Sequence, residues 1–136
     1  MFKPSENLGA SEDAESVRPS PEFSPKQREI LLAIAHESIA GRLAGESSSD
    51  TTLSAISPAL RTGLEEPRGV FTTLYLHGEL RGCVGYAVPI RPLYRAVAET
   101  ARAAAFEDTR FYPVTLEEAP HLEIELSVLS VPQPIQ

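Results

Sequence analysis

Arg81-Gly82-Cys83-Val84-Gly85 holds the residue types best suited to chemistry, and Cys83 is the single cysteine of the chain. Arg81 stands two positions before it, so an unbroken strand puts both side chains on one face. A guanidinium beside a thiol favours the thiolate, which is the nucleophilic form. Gly82 and Gly85 weaken a strand and mark the close approach of another backbone or of a ligand. The competing role for Cys83 is a small apolar side chain packed beside Leu74. A cysteine nucleophile also needs a base within hydrogen-bond reach. His77 falls at the far end of the same hairpin, on the order of 10 Å away, and His36 and His121 cannot be placed near Cys83, so no Cys-His dyad can be read.

Asp108 and Arg110 are the next candidates, as a substrate-binding pair or as an ion pair with each other. Glu123 and Glu125 share one face of a strand at about 7 Å spacing, as paired carboxylates or as a solvated face. Metal-ligand spacings, a phosphate-cradling glycine loop and a nucleophile elbow are all missing from the sequence.

Charge is unevenly spread around these residues. The 136-residue chain carries 12 Lys+Arg against 19 Asp+Glu, a net charge of -7. Residues 60–110 nevertheless hold 7 arginines against 6 acids, while residues 111–136 hold 4 glutamates and no base. The middle third is therefore where a small anionic ligand would be received, and arginine suits fixed carboxylate or phosphate contacts. A pI of about 4.9 disfavours nucleic acid as a partner. No apolar run approaches the ~18 residues of a membrane span, and no secretory signal is visible, so the expected setting is cytoplasmic and reducing.

The elements that must position these residues follow from local patterns. Residues 1–23, rich in Ser, Glu and Pro, read as a disordered tail. Ser24-Pro25-Lys26-Gln27 forms a capping box, and Ile30, Leu31, Ile34, Ala35, Ser38 and Ile39 carry a helix to Gly41. Pro58 to Arg61 reads as one helical turn. Val70 to Leu76 and Leu80 to Tyr86 read as a hairpin about His77-Gly78-Glu79. A two-residue loop then groups Phe71, Thr73 and Tyr75 with Leu80, Gly82 and Val84. Leu74 falls with Arg81, Cys83 and Gly85 on the opposite face. Both faces are apolar enough to need cover. Pro92 to Phe106 reads as a second helix with Leu93, Val97, Ala101, Ala104 and Ala105 inward, and Leu122 to Val128 as a half-buried strand. The fold class is α+β, an antiparallel sheet flanked by helices.

These segments resemble the AMMECR domain, the A component of the AmmeMemoRadiSam system. The matching stretches are Gly69-Val70-Phe71-Thr72-Thr73-Leu74, Gly78-Glu79-Leu80-Arg81-Gly82-Cys83-Val84-Gly85, Ala104-Ala105-Phe106-Glu107-Asp108, Arg110-Phe111-Tyr112-Pro113 and Leu122 to Ser130. The resemblance implies a binding or accessory role beside radical-SAM and Memo-type proteins, and the residue pattern adds no cofactor or metal to it. The site would be Arg81, Gly82, Cys83 and Gly85, to which Asp108 and Arg110 are added from the residue pattern. The alternative is an enzyme or enzyme subunit using Cys83 as a reactive thiol and Arg81 as the anion-binding group. Domains of this family continue past Ser130, so residues 24–136 are expected to be an N-terminal portion, truncated at the C-terminus and open to self-association through exposed strand edges.

Overall fold

Ser24 begins the first helix as its residue types require. Its hydroxyl accepts the Gln27 amide at 3.1 Å while the Gln27 side chain accepts the Ser24 amide at 2.9 Å. The computed structural model describes residues 16–17, 23–46 and 56–130. Within them, strand β1 is Ser16–Val17, helix α1 Pro25–Leu43 and helix α2 Pro58–Arg61. Strand β2 is Val70–Leu76, strand β3 Glu79–Tyr86, helix α3 Leu93–Phe106 and strand β4 Leu122–Val128.

The sheet order is β1-β4-β2-β3, with β4, β2 and β3 antiparallel. This is the expected α+β fold. Of the segment read as a disordered tail, residues 1–15 and 18–22 lie outside the described residues. Ser16–Val17 pair in parallel with Glu125 and Leu126, and Phe23 is buried. Most of the expected polar loop after Gly45 and the last six residues also lie outside the described residues.

One side of the sheet is covered. Val70 and Leu74 of β2 and Leu122, Ile124 and Leu126 of β4 pack with Leu93 and Val97 of α3 and Leu31, Ile34 and Ile39 of α1. Burying each such side chain stabilises by about 1.5–3 kcal/mol. Small residues bring α3 close: Ala96, Ala101, Ala104 and Ala105 are all buried. Two polar links fix its register. Thr100 donates to the Ala96 carbonyl at 2.8 Å, which leaves its oxygen to accept from Thr72 at 2.8 Å in the centre of the core. Arg102, buried, donates to the Ser38 carbonyl at 3.0 Å and the Glu46 carbonyl at 3.3 Å, joining α3 to the end of α1.

The hairpin turn has two residues, His77 and Gly78, with φ of 52° and 83°, the conformation a tight hairpin needs. Beyond Leu80 the pairing departs from the expected register. A bulge makes Gly82 the partner of Leu74 and Cys83 the partner of Thr73. One extra residue flips every later side chain to the other face. Gly82 and Val84 therefore join Leu74 on the helix side, and Cys83 and Gly85 join Phe71 and Thr73 on the open side. The reading that placed Cys83 beside Leu74 is corrected accordingly. The expected cover for both faces is also corrected, since among the described residues the helices lie on one side only. On the open side Phe71 instead lies over Gly85, where an added Cβ would meet its ring at 2.4 Å.

At Gly82 a Cβ would lie 2.1 Å from the Ala104 carbonyl oxygen of α3. Backbone occupies that space, so even Gly82→Ala must push the helix away. The expected result is a loss of about 1–3 kcal/mol, read as a lower urea midpoint. An unchanged midpoint would show that the helix does not bear on the strand there.

Candidate functional site

The bulge that reorients β3 also frees Arg81 from the regular ladder. Its guanidinium turns towards the loop after α3, where Nη2 meets Glu118 Oε1 at 2.8 Å and the Pro113 carbonyl at 3.4 Å. Glu118 is held in turn by Thr115. The Thr115 amide donates to Glu118 Oε1 at 3.1 Å and the Glu118 amide donates to Thr115 Oγ1 at 3.2 Å. This is a reciprocal cap on a single turn. The Arg81 guanidinium keeps the Glu118 carboxyl below its ordinary range, so Glu118 is ionised.

Asp108 stands just past the end of α3. Its Oδ2 accepts the Cys83 amide at 3.0 Å, closing an outward-facing group on the edge strand β3. The same carboxylate receives Arg110 through a fork, Nε to Oδ1 at 3.0 Å and Nη2 to Oδ2 at 2.7 Å, and also takes the Arg110 amide at 3.1 Å. Paired, bidentate bonds of this kind are strong and directional. With Arg110 as the main cause, Asp108 is held well below the usual carboxylate range.

Arg81 and Arg110, with Thr109, Phe111, Tyr112 and Glu118, line a cleft of about 570 Å³. Within the Arg81 guanidinium, Nη1 is buried and has no hydrogen-bond partner, a state that costs about 1–3 kcal/mol. Tyr112 is 88% exposed, an aromatic ring with nothing packed over it.

The predicted site residues are thus divided. Arg81 and Arg110 line one cleft, and Asp108 is the ion-pair partner of Arg110 without lining it. Gly82 and Gly85 do not face it; their close neighbours are Ala104 and Phe71 of the same chain. Cys83 contributes its amide to the Asp108 network, while its sulfur lies 3.3 Å from Thr73 Oγ1 on the open sheet face. Tyr75 and Glu125 share that face, joined at 3.4 Å. Burial, then Glu125, raises the Tyr75 hydroxyl above its ordinary value. His77 and His121 meet each other at the hairpin tip, ring centroids 5.8 Å apart. Among the described residues no group of three His, Cys, Asp or Glu is placed to hold a metal ion, and no helix is long and apolar enough to cross a membrane.

Sequence reasoning missed Glu118 and Tyr112. Thr115-x-x-Glu118 has the spacing of a capping box, which was the available signal for Glu118. Nothing in the sequence marks Tyr112 as unpacked.

This arrangement of three antiparallel strands and flanking helices is shared with an uncharacterised protein of Pyrococcus horikoshii of known crystal structure. The two superpose with a TM-score of 0.71 over 85% of this chain and 57% of that one, at 32% identity. Residues 32–136 match the AMMECR1 family, and the chain belongs to it. Among its relatives are a protein of Methanothermobacter thermautotrophicus, 49% identical over 69 residues covering 51% of this chain and 36% of that protein. Another is a protein of Pyrococcus furiosus, 41% identical over 99 residues covering 60% and 47%. The chain spans well under two thirds of the length of these relatives.

The Asp108 network makes an acid dependence. Its folded pKa is depressed, so its contribution is present above the unfolded value of about 3.9 and is lost as pH falls below that. Asp108→Asn should therefore be less stable than the parent at pH 7, with the gap narrowing between about pH 5 and pH 3. Thermal melts across that range check it; a gap that stays constant would rule out the ionised carboxylate as the source.

Proposed function

We propose that the chain is a binding component, docking onto the radical-SAM and Memo-type proteins of a modification system through the Arg81–Arg110 cleft at the edge of β3. The observation that carries this reading is the cleft itself, lined by Arg81, Arg110 and the exposed ring of Tyr112. The Arg81 guanidinium is already held by Glu118 and the Pro113 carbonyl, so it is fixed in direction before any partner arrives. Preorganised donors of this kind lose little freedom on binding.

A thiol reaction at Cys83 is the second reading. It is favoured by the position of Cys83 on the open sheet face, its amide bonded to the same Asp108 carboxylate that holds Arg110.

Calorimetric titration of the chain against each of the two partner proteins separates the readings. Arg81→Met should weaken binding about tenfold or more, the scale of one charge-assisted hydrogen bond, while Cys83→Ser should bind as the parent does. Full binding by Arg81→Met would overturn the docking reading. Loss of binding or of product formation confined to Cys83→Ser would favour the thiol.

A further inference from the structure

Away from the cleft, the tip of the β2–β3 hairpin brings two further chemistry-bearing side chains together. Leu76 at the end of β2 pairs with Leu122 at the start of β4, so the next residues outward, His77 and His121, stand side by side. Their ring centroids are 5.8 Å apart and the ring planes are tilted by 40°. The backbone holds both positions. His77 occupies the first position of the tight turn, with φ of 52°. The His121 amide donates to the Glu118 carbonyl at 2.9 Å, closing the single turn that leads into β4. Both residues are exposed, so an ion reaches the rings from solvent without any opening of the fold.

The separation is one that two imidazoles sharing an ion require. Metal–nitrogen bonds of about 2.0–2.1 Å, with each nitrogen about 1.2 Å from its own ring centre, put both centroids about 3.2 Å from the ion. Ligand angles between tetrahedral and linear then separate the centroids by about 5.2–6.4 Å, and 5.8 Å lies inside that range. Charge favours a cation as well. Glu79 directly follows the turn and Glu123 stands two positions after His121, while residues 74–80 and 119–128 contain no Lys or Arg. Among the described residues no third His, Cys, Asp or Glu joins the pair. The remaining coordination positions therefore fall to water, which makes the site open rather than closed.

We propose that His77 and His121 bind one divalent transition-metal ion, of the zinc, nickel and copper class, as an open two-imidazole site. Imidazole suits these ions, whereas magnesium and calcium select oxygen ligands. Binding ties the hairpin turn to the segment that enters β4. Neither histidine lines the Arg81–Arg110 cleft, so the site is independent of the docking reading.

The test uses the untagged chain, labelled with nitrogen-15 and stripped of metal, titrated with zinc chloride and separately with magnesium chloride. Calorimetry reads affinity and stoichiometry, and nitrogen–proton spectra read the rings of all three histidines. The expected result is one zinc ion per chain, with the His77 and His121 ring signals shifting together while those of His36 stay in place. Magnesium should shift none of them. His77→Asn, which keeps a residue that tolerates the positive φ, and His121→Ala should each weaken zinc binding by at least about tenfold, the loss that even outer-shell changes cause. The double variant should be little worse than either alone. Cys83→Ser, which removes the single thiol, should bind zinc as the parent does. Zinc binding that survives both histidine variants, or that is lost only with Cys83→Ser, would overturn the proposal and place the ion elsewhere. An equal ring shift with magnesium would overturn it in favour of the neighbouring carboxylates. No shift of either ring with zinc would overturn it too and leave the histidines as a packed aromatic pair.

Discussion

The contact between the carbonyl of Ala104 and the bare Cα of Gly82 is the constraint on which the rest of the site depends. A side chain on either strand or helix at that point would hold α3 away from β3 by the width of a methyl group or more. With none there, α3 ends directly over the edge strand. Asp108, two residues past the end of the helix, then reaches the amide of Cys83 at 3.0 Å. The chain turns at that point and Val114 donates back to the Ala105 carbonyl at 2.9 Å. That return brings Glu118 to Arg81. A glycine that reads as part of a binding motif thus works by letting the helix place the loop that forms the cleft.

The cleft is built from ion pairs whose members are each held by a further bond. Asp108 accepts from two amides as well as from Arg110, and Glu118 is capped by Thr115. Exposed ion pairs contribute little by themselves, and Arg110 is largely exposed. Their value here lies in orientation. Both guanidinium groups are fixed and paired with carboxylates of the same chain before any partner arrives.

Much of the scaffold was legible from local rules. The capping box at Ser24 and Gln27, the inward alanines of α3, the two-residue turn at His77-Gly78 and the alternation of β4 each have a short-range cause, and each is present. The faces of β3 were not legible. The bulge between Leu80 and Gly82 depends on how two strands pair, and a single inserted residue moved Cys83 from the core side to the open side. Asp108 and Arg110 were recognisable as a pair, but their tie to the Cys83 amide spans 25 residues and follows from where α3 lies. Ser16–Val17 show the same limit: their partner is β4, more than a hundred residues away.

Native-state hydrogen exchange at the Cys83 amide tests this account most directly. Cys83 lies on an edge strand, where an outward amide left to solvent exchanges rapidly. If α3 delivers Asp108 to that amide, Cys83 exchanges slowly, in step with core amides such as that of Leu74 on the central strand. Rapid exchange at Cys83, with Leu74 still protected, would show that the end of α3 does not close the edge of β3 and would contradict the placement of the whole cleft.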